Sequence, residues 1–175
     1  MHGMTFHEAV VPGLAIAPQV VQASDVDGNA IVNPWQTGRK LTFVAIAGAL
    51  GASDAYTTKV QARRKGTTTW DDVQDETGAA DLTFTASKFV DGGEVENGAV
   101  IGTVDLGRLK TGTGGNLPPV SGTQYEYDAL RLTTVNADAA STAVIGFSYF
   151  ITDLFTLPAT TSDELLFSQI PQDLA

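Results

Sequence analysis

Hydrophobic and polar residues alternate along much of this chain, and a period of two is typical of strands that bury one face in a sheet. The clearest case is Tyr56–Arg64, in which Thr58, Val60 and Ala62 share one face while basic and amide side chains share the other. Short apolar runs separated by glycine-, asparagine- and proline-rich turns extend the pattern. Roughly seven to nine short strands at this spacing predict an all-β domain of the β-sandwich or jelly-roll-like type. Periodicity leaves both jelly-roll and immunoglobulin-like strand connections open.

The other predicted strands cover residues 19–23, 30–32, 41–47, 68–73, 82–85, 99–106, 125–135 and 143–152. Segments 41–47 and 143–151 are the most apolar and are predicted to form the core. Asp27-Gly28-Asn29, between two apolar runs, predicts a β-hairpin. Tyr56 and Trp70 are predicted to pair across a second hairpin.

A length of 175 residues suits one domain. The pattern divides the chain into an N-terminal arm at residues 1–12, a sandwich at residues 13–155 and a C-terminal arm at residues 156–175. A short helix is expected in the C-terminal arm, with Thr161 or Ser162 as its N-cap.

Charge is sparse but strongly acidic, with a net charge of −10. Such a balance opposes binding to nucleic acids and to anionic membranes, because their phosphates would be repelled. Between residues 70 and 105, nine acidic residues stand against one lysine. A solvated acidic loop is the preferred interpretation, and matching of opposite faces between neighbouring copies is the alternative. Neither a leader pattern nor a membrane-length apolar run occurs, which predicts synthesis in the cytoplasm.

The sequence predicts no enzyme, cofactor or metal site. Cysteine is absent, and the only histidines, His2 and His7, lie in the N-terminal arm, where a catalytic base is poorly positioned. Residues 25–29 resemble the start of a calcium loop, but Ala30 and Gln36 occupy the positions of the required glycine and glutamate.

Two further motifs also fail as catalytic or binding sites. Asp71 and Asp72 are neighbours on a predicted strand and should point to opposite faces, so they would not form a catalytic carboxylate pair. The glycine-rich segment 112–115 lacks the lysine and hydroxyl residue that complete a phosphate loop.

Five segments carry a resemblance to a known class of protein. They are 41–50 (LTFVAIAGAL), 57–62 (TTKVQA), 67–73 (TTTWDDV), 127–135 (YDALRLTTV) and 143–151 (AVIGFSYFI). In layout, residues 40–152 resemble the small capsid decoration (cement) proteins of tailed bacteriophages, which are rich in β-structure, glycine, alanine and threonine and bear terminal arms.

The resemblance implies a virion structural protein on the outer capsid surface that bridges neighbouring subunits of the major capsid protein, commonly as a homotrimer. The partner contacts expected in the arms are Phe6, Val10, Val11, Leu165, Leu166 and Phe167. The alternatives are a head-fibre or tail sandwich protein, and a carbohydrate-binding module that uses Trp35 or Trp70.

Overall fold

A computed structural model describes residues 10–75, 77–78, 80–111 and 127–154. These residues form two antiparallel sheets with a shared hydrophobic core, and the predicted all-β sandwich is thereby confirmed. The four-stranded sheet has the order β1-β10-β4-β7, and the six-stranded sheet has the order β2-β9-β5-β6-β8, with β3 also paired to β9.

The strands are β1 (Val11–Val20), β2 (Val26–Asp27), β3 (Ile31–Val32), β4 (Gly38–Ala47), β5 (Tyr56–Arg64), β6 (Trp70–Gln74), β7 (Val100–Asp105), β8 (Lys110–Thr111), β9 (Tyr127–Asn136) and β10 (Val144–Leu154). Two single-turn α-helices, α1 (Pro34–Thr37) and α2 (Glu94–Asn97), and a 3₁₀ turn at Ala86–Lys88 lie in the connections.

The core lies between the two sheets and follows the predicted alternation. Leu41, Phe43 and Ala45 of β4 are buried beside Ile145, Phe147 and Ile151 of β10. The six-stranded sheet contributes the alternate residues of two paired strands: Val60 faces the core opposite Leu132, and Ala62 opposite Leu130. Segments 41–47 and 143–151 are therefore core strands, as the sequence predicts.

A cluster of phenylalanines closes the core where β6 diverges from β5. The ring of Phe84 lies 5.4 Å from Phe89, 5.8 Å from Phe147 and 6.3 Å from Phe43, centroid to centroid. Its backbone N–H donates to the Thr58 carbonyl, which holds the segment beside β5. Residues 82–85, predicted as a strand, contain one isolated bridge, from Thr83 to Lys59 of β5, and the preceding Asp81 makes another to Gln74 of β6.

The predicted hairpin at Asp27-Gly28-Asn29 is wrong. β2 and β3 do not pair with each other but both pair with β9. The Gly28 N–H donates to the Leu132 carbonyl of β9, and the Asn29 N–H donates to the Ala15 carbonyl of β1. The segment therefore joins the two sheets instead of turning a strand back on itself. The predicted contact of Tyr56 with Trp70 is also wrong, since Trp70 pairs with Arg63 at the opposite end of β5.

The first strand begins earlier than predicted. β1 starts at Val11, within the predicted arm, and it contains Pro12 and Pro18, which normally argue against a strand. β1 is an edge strand paired only with β10, and an edge tolerates residues that cannot donate a ladder hydrogen bond. Residues 1–9 and 155–175, including the expected helix at Thr161 or Ser162, lie outside the described part of the chain.

Candidate interaction surface

The outer side of the four-stranded sheet carries a group of exposed aliphatic side chains, here called the apolar face. Its members are 42 to 65% exposed and come from all four strands: Leu14, Val20, Ile46, Ile101 and Val144. The strand register places Leu14 and Ile101 in one row, because Leu14 is opposite Ser148, Ser148 opposite Val44 and Val44 opposite Ile101. One row of side chains thus crosses the whole sheet. The register also sets Val20 opposite Val144.

The apolar face results from strands that are hydrophobic on both sides. In β4, Val44 and Ile46 alternate with the buried Phe43 and Ala45. The same apolar run therefore places hydrophobic side chains both in the core and on the outer side of the sheet. Next to Ile46, Gly146 of β10 is covered by Pro18 of β1, whose ring lies 3.0 Å from where a Cβ would be. Among the described residues, the outward positions of these strands carry no charged side chain until the row of Lys40 and Asp105 at one end.

Beyond that end row lies a cleft of about 540 Å³, here called the basic cleft. Trp35 and Leu106, both buried, contribute to its lining, and Lys40 forms an ion pair with Asp153 at 3.1 Å. The complete lining is Trp35, Gly38, Arg39, Lys40, Asp105, Leu106, Gly107, Arg108 and Asp153.

The outer side of the six-stranded sheet has the opposite character. Arg131 donates two hydrogen bonds to Gln61, forms an ion pair with Asp27 at 2.8 Å and lies 4.3 Å from the Trp70 ring centroid. Arg63 approaches the same ring at 5.7 Å and pairs with Asp128. The charged groups on this side bind one another, so this surface is a network of satisfied polar contacts.

Asp71 and Asp72 point in opposite directions, in agreement with the sequence-based prediction. The Arg64 hydrogen bond, assisted by that of the Tyr127 hydroxyl, holds the pKa of Asp71 below its usual value against the opposing effect of burial. Burial raises the pKa of Asp72, but hydrogen bonds from Lys59 and Gln61 outweigh it and leave the pKa lowered. Both carboxylates therefore remain charged and occupied by structural partners.

A buried polar cluster of Asp54, Asn136 and Ser141 connects two turns at one end of the sandwich. Asp54 is only 4% exposed and accepts hydrogen bonds from the Gly51 N–H at 2.7 Å and from Asn136 Nδ2 at 2.6 Å. Burial raises the pKa of Asp54, but hydrogen bonds from Ser141, Asn136 and Gly51 lower it by more. The pKa of Asp54 therefore lies below its ordinary value. This carboxylate stabilises the turns as an anion.

The predicted partner-contact residues are only partly within the described chain. Val10 is 7% exposed, and Val11 pairs with Ile151 of β10, so both belong to the sandwich and not to a separate arm. Phe6, Leu165, Leu166 and Phe167 lie outside the described residues, as do His2, His7 and the glycine-rich segment 112–115. The apolar face was not predicted, although Ile46, Ile101 and Val144 lie on the outer positions of predicted strands.

The calcium-loop interpretation of residues 25–29 receives no support from the geometry. The Asp27 carboxylate binds Arg131, and Asn29 Nδ2 donates to the Leu14 carbonyl at 2.9 Å. Within the described ranges, no group of three or more histidine, aspartate or glutamate side chains could hold a metal ion.

Comparison of the chain with protein-family models, with curated proteins and with solved structures finds no match. Among the helices of the described residues, none has both the length and the apolar character needed to cross a membrane.

Proposed function

We propose that this chain is a virion structural protein that decorates a tailed-phage capsid and bridges neighbouring subunits of the major capsid protein. The observation that carries the proposal is the apolar face. Contiguous exposed apolar patches are uncommon on monomeric proteins and mark surfaces that bind other proteins. Leu14, Val20, Ile46, Ile101 and Val144 form such a patch on a rigid sheet.

The architecture suits a protein whose work is adhesion. Antiparallel strands hold the exposed side chains at fixed spacing, so little conformational entropy is lost when a partner covers them. When many copies bind one particle, weak individual contacts add up to strong overall attachment by avidity. A shell under outward pressure from packaged DNA needs this kind of distributed contact.

The proposed assembly is a homotrimer at the outer capsid surface. The net charge of −10 makes copies repel one another over most of their surface. The uncharged apolar face offers an approach free of that repulsion. Phe6, Leu165, Leu166 and Phe167 are proposed as additional contacts to the capsid from the terminal segments.

The carbohydrate-binding alternative finds less support in the described residues. Trp35 is 4% exposed, and the Trp70 ring is already stacked with Arg131. A sugar would have to displace a guanidinium that also binds Gln61 and Asp27. A head-fibre or tail location would use the same apolar face, and electron microscopy with a labelled chain separates those locations from the capsid shell.

The direct test is binding to undecorated heads of a phage whose genome encodes this chain. Addition of the purified protein should raise the temperature at which the heads break open. Ile46→Lys or Ile101→Lys should reduce head occupancy by about tenfold or more, because each introduces a charge into the apolar face that the contact would bury.

Val32→Lys is the matched control. Val32 is 58% exposed and equally aliphatic, but it lies on β3 of the other sheet, so its replacement should leave occupancy unchanged. Failure of the unmodified chain to bind the heads, or equal loss in all three variants, would contradict the proposal.

A further inference from the structure

The free edge of β7 is long, regular and uncharged. β7 spans six residues, pairs with β4 without a register shift and forms one end of the four-stranded sheet. Residues 98–104 contain neither a charged residue nor a proline. An edge strand of this kind is a template for pairing with another strand, and proteins normally protect such edges.

The other sheet edges of the described chain carry that protection. β1, at the opposite end of the same sheet, contains Pro12 and Pro18, and its register with β10 shifts twice. In the six-stranded sheet, the outermost strands β2 and β8 and the side strand β3 are only two residues long. Proline, irregular register and short length all hinder edge pairing. Within the described residues, β7 is thus the edge most open to another strand.

The hydrogen-bond pattern identifies the backbone groups that β7 leaves free. Leu106 N–H donates to the Arg39 carbonyl at 2.9 Å, in register with the ladder between β7 and β4. Because bonded pairs alternate along an antiparallel ladder, the even-numbered residues of β7 bond to β4. The N–H and C=O groups of Ile101 and Thr103 therefore point away from β4. No hydrogen bond joins them to another backbone group of the described residues.

We propose that β7 pairs with β7 of a second copy of this chain, antiparallel and centred on Ile101. In this register Ile101 faces its own counterpart and Thr103 faces the exposed Ala99 of the second copy, and each pair exchanges two backbone hydrogen bonds. A register centred on Thr103 would place the charged Asp105 within the pair. The carbonyl of Asp105 also already accepts a hydrogen bond from the Arg108 N–H at 3.1 Å.

Charge and continuity with the apolar face favour a second copy as the occupant. The net charge of −10 makes copies repel one another, but segment 98–104 brings no charge to the contact. The two-fold axis of such a pair is perpendicular to the sheet, so the apolar faces of both copies lie on the same side. Ile101, which is 65% exposed, would then be covered in part by its counterpart.

This contact goes beyond the proposed capsid binding and does not require it. An isologous pair has two-fold symmetry, so it would link copies of neighbouring trimers and not the copies within one trimer. Residues 98–104 of each copy form a small interface, and small interfaces give weak association. A covalent trap is therefore the appropriate measurement.

Cysteine cross-linking tests the pairing, because the chain has no cysteine of its own. The Cα atoms of a hydrogen-bonded antiparallel pair lie about 5.5 Å apart, which suits a disulfide. On mild oxidation, Ile101→Cys should form disulfide-linked dimers about ten times faster than Ile46→Cys. Ile46 is the matched control, because it is 53% exposed on the same face but lies on the inner strand β4.

Equal rates for Ile101→Cys and Ile46→Cys would overturn the proposal. A faster reaction of Ile46→Cys would also overturn it, because the copies would then meet face to face. Thr103→Cys alone should react slowly, whereas a mixture of Thr103→Cys and Ala99→Cys chains should give mixed dimers. Thr103→Cys dimers that form as fast as those of Ile101→Cys would contradict the register.

A proline tests the backbone contact in the Ile101→Cys chain. Thr103→Pro removes an N–H that points away from β4, so it should slow the cross-link about tenfold and leave the ladder with β4 in place. Thr103→Ala is the control: it loses the same hydroxyl contact with Thr42, at 3.0 Å, but keeps the N–H and should not change the rate.

The urea midpoint shows whether both variants are folded. An unchanged rate in folded Thr103→Pro would contradict the pairing. If Thr103→Pro does not fold, Thr103→Lys repeats the test by adding a charge at the edge, and Thr42→Lys, on the inner strand, is its control. Equal rates in these two lysine variants would likewise contradict the pairing.

Head binding of the cysteine-free chain is measured separately. Failure to bind heads together with a fast Ile101→Cys cross-link contradicts only the proposed function. Normal head binding together with equal cross-linking rates for Ile101→Cys and Ile46→Cys contradicts only the pairing of β7.

Discussion

Gly28 shows how one residue connects the two sheets. A Cβ at this position would lie 2.5 Å from the Ala15 carbonyl oxygen and 2.9 Å from that of Leu132. The close approach lets the N–H groups of Gly28 and Asn29 bond to β9 and β1 respectively. Glycine is needed here for space, whereas the sequence alone suggested a turn.

At the same scale, Asp54 makes the stability of the fold depend on pH. The pKa of Asp54 is lower in the folded state than in the unfolded state. Its contribution to the free energy of unfolding is therefore complete above the unfolded-state pKa of about 4 and is lost as the pH falls through the folded-state pKa. Asp54→Asn should lower the free energy of unfolding at pH 7 by about 1–3 kcal/mol, because the amide keeps one acceptor oxygen and leaves either the Gly51 N–H or Asn136 Nδ2 without one.

Urea unfolding of both proteins between pH 7 and pH 3 checks this expectation. The difference between Asp54→Asn and the unmodified chain should shrink toward acid pH. Asp91→Asn, at an exposed turn position, is the control and should stay close to the unmodified chain throughout. A difference that is constant with pH would contradict an anionic role for Asp54.

At the scale of elements, periodicity predicted the regular strands and failed at the irregular ones. β5 matches Tyr56–Arg64 in full, because one face is buried and the other is polar along its whole length. Most of β1 lies before the predicted strand at residues 19–23, because Pro12 and Pro18 interrupt its pattern, and only its place at the sheet edge makes them tolerable. The segment around Phe84 has the composition of a strand, but it makes only single bridges, one to β5 and one to β6.

Phe84 is expected to stabilise the core by packing its ring against three other phenylalanines between the sheets. Phe84→Ala removes a ring that contacts Phe43, Phe89 and Phe147 and should lower the free energy of unfolding by about 3 kcal/mol. The shift of the urea midpoint measures the effect. Thr85→Ala, at the exposed neighbouring position, should change it by no more than about 0.5 kcal/mol. Similar losses in both variants would contradict the packing role.

At the scale of the whole molecule, the two outer surfaces differ in kind. One is a network of ion pairs and hydrogen bonds around Arg131, and the other is the uncharged apolar face. The candidate surface could not be identified from the sequence, because Val44 and Ile46 look identical in pattern to the buried residues of the same strand. Only the absence of an element packed over them within the described chain distinguishes the two sides.

This asymmetry predicts how salt affects self-association. Between about 0.01 and 0.15 M salt the Debye length falls from roughly 30 to 8 Å, which screens the repulsion between acidic copies. Self-association through the apolar face should therefore strengthen, as sedimentation velocity would show, and Ile46→Lys should weaken it at every salt concentration. Dissociation on adding salt would instead mean that ion pairs hold the copies together.

The all-β class, the two core strands and the half-exposed β5 followed from the amino-acid sequence alone, because alternation encodes burial locally and needs no knowledge of the partner strand. The sheet to which each strand belongs, the bridging role of Gly28, the apolar face and the basic cleft depended on tertiary structure. Each of them arises where residues distant in the chain meet, as Arg39 meets Leu106 and Leu14 aligns with Ile101. Hydrophobic pattern states that a side chain is apolar, but only packing decides whether that side chain is covered.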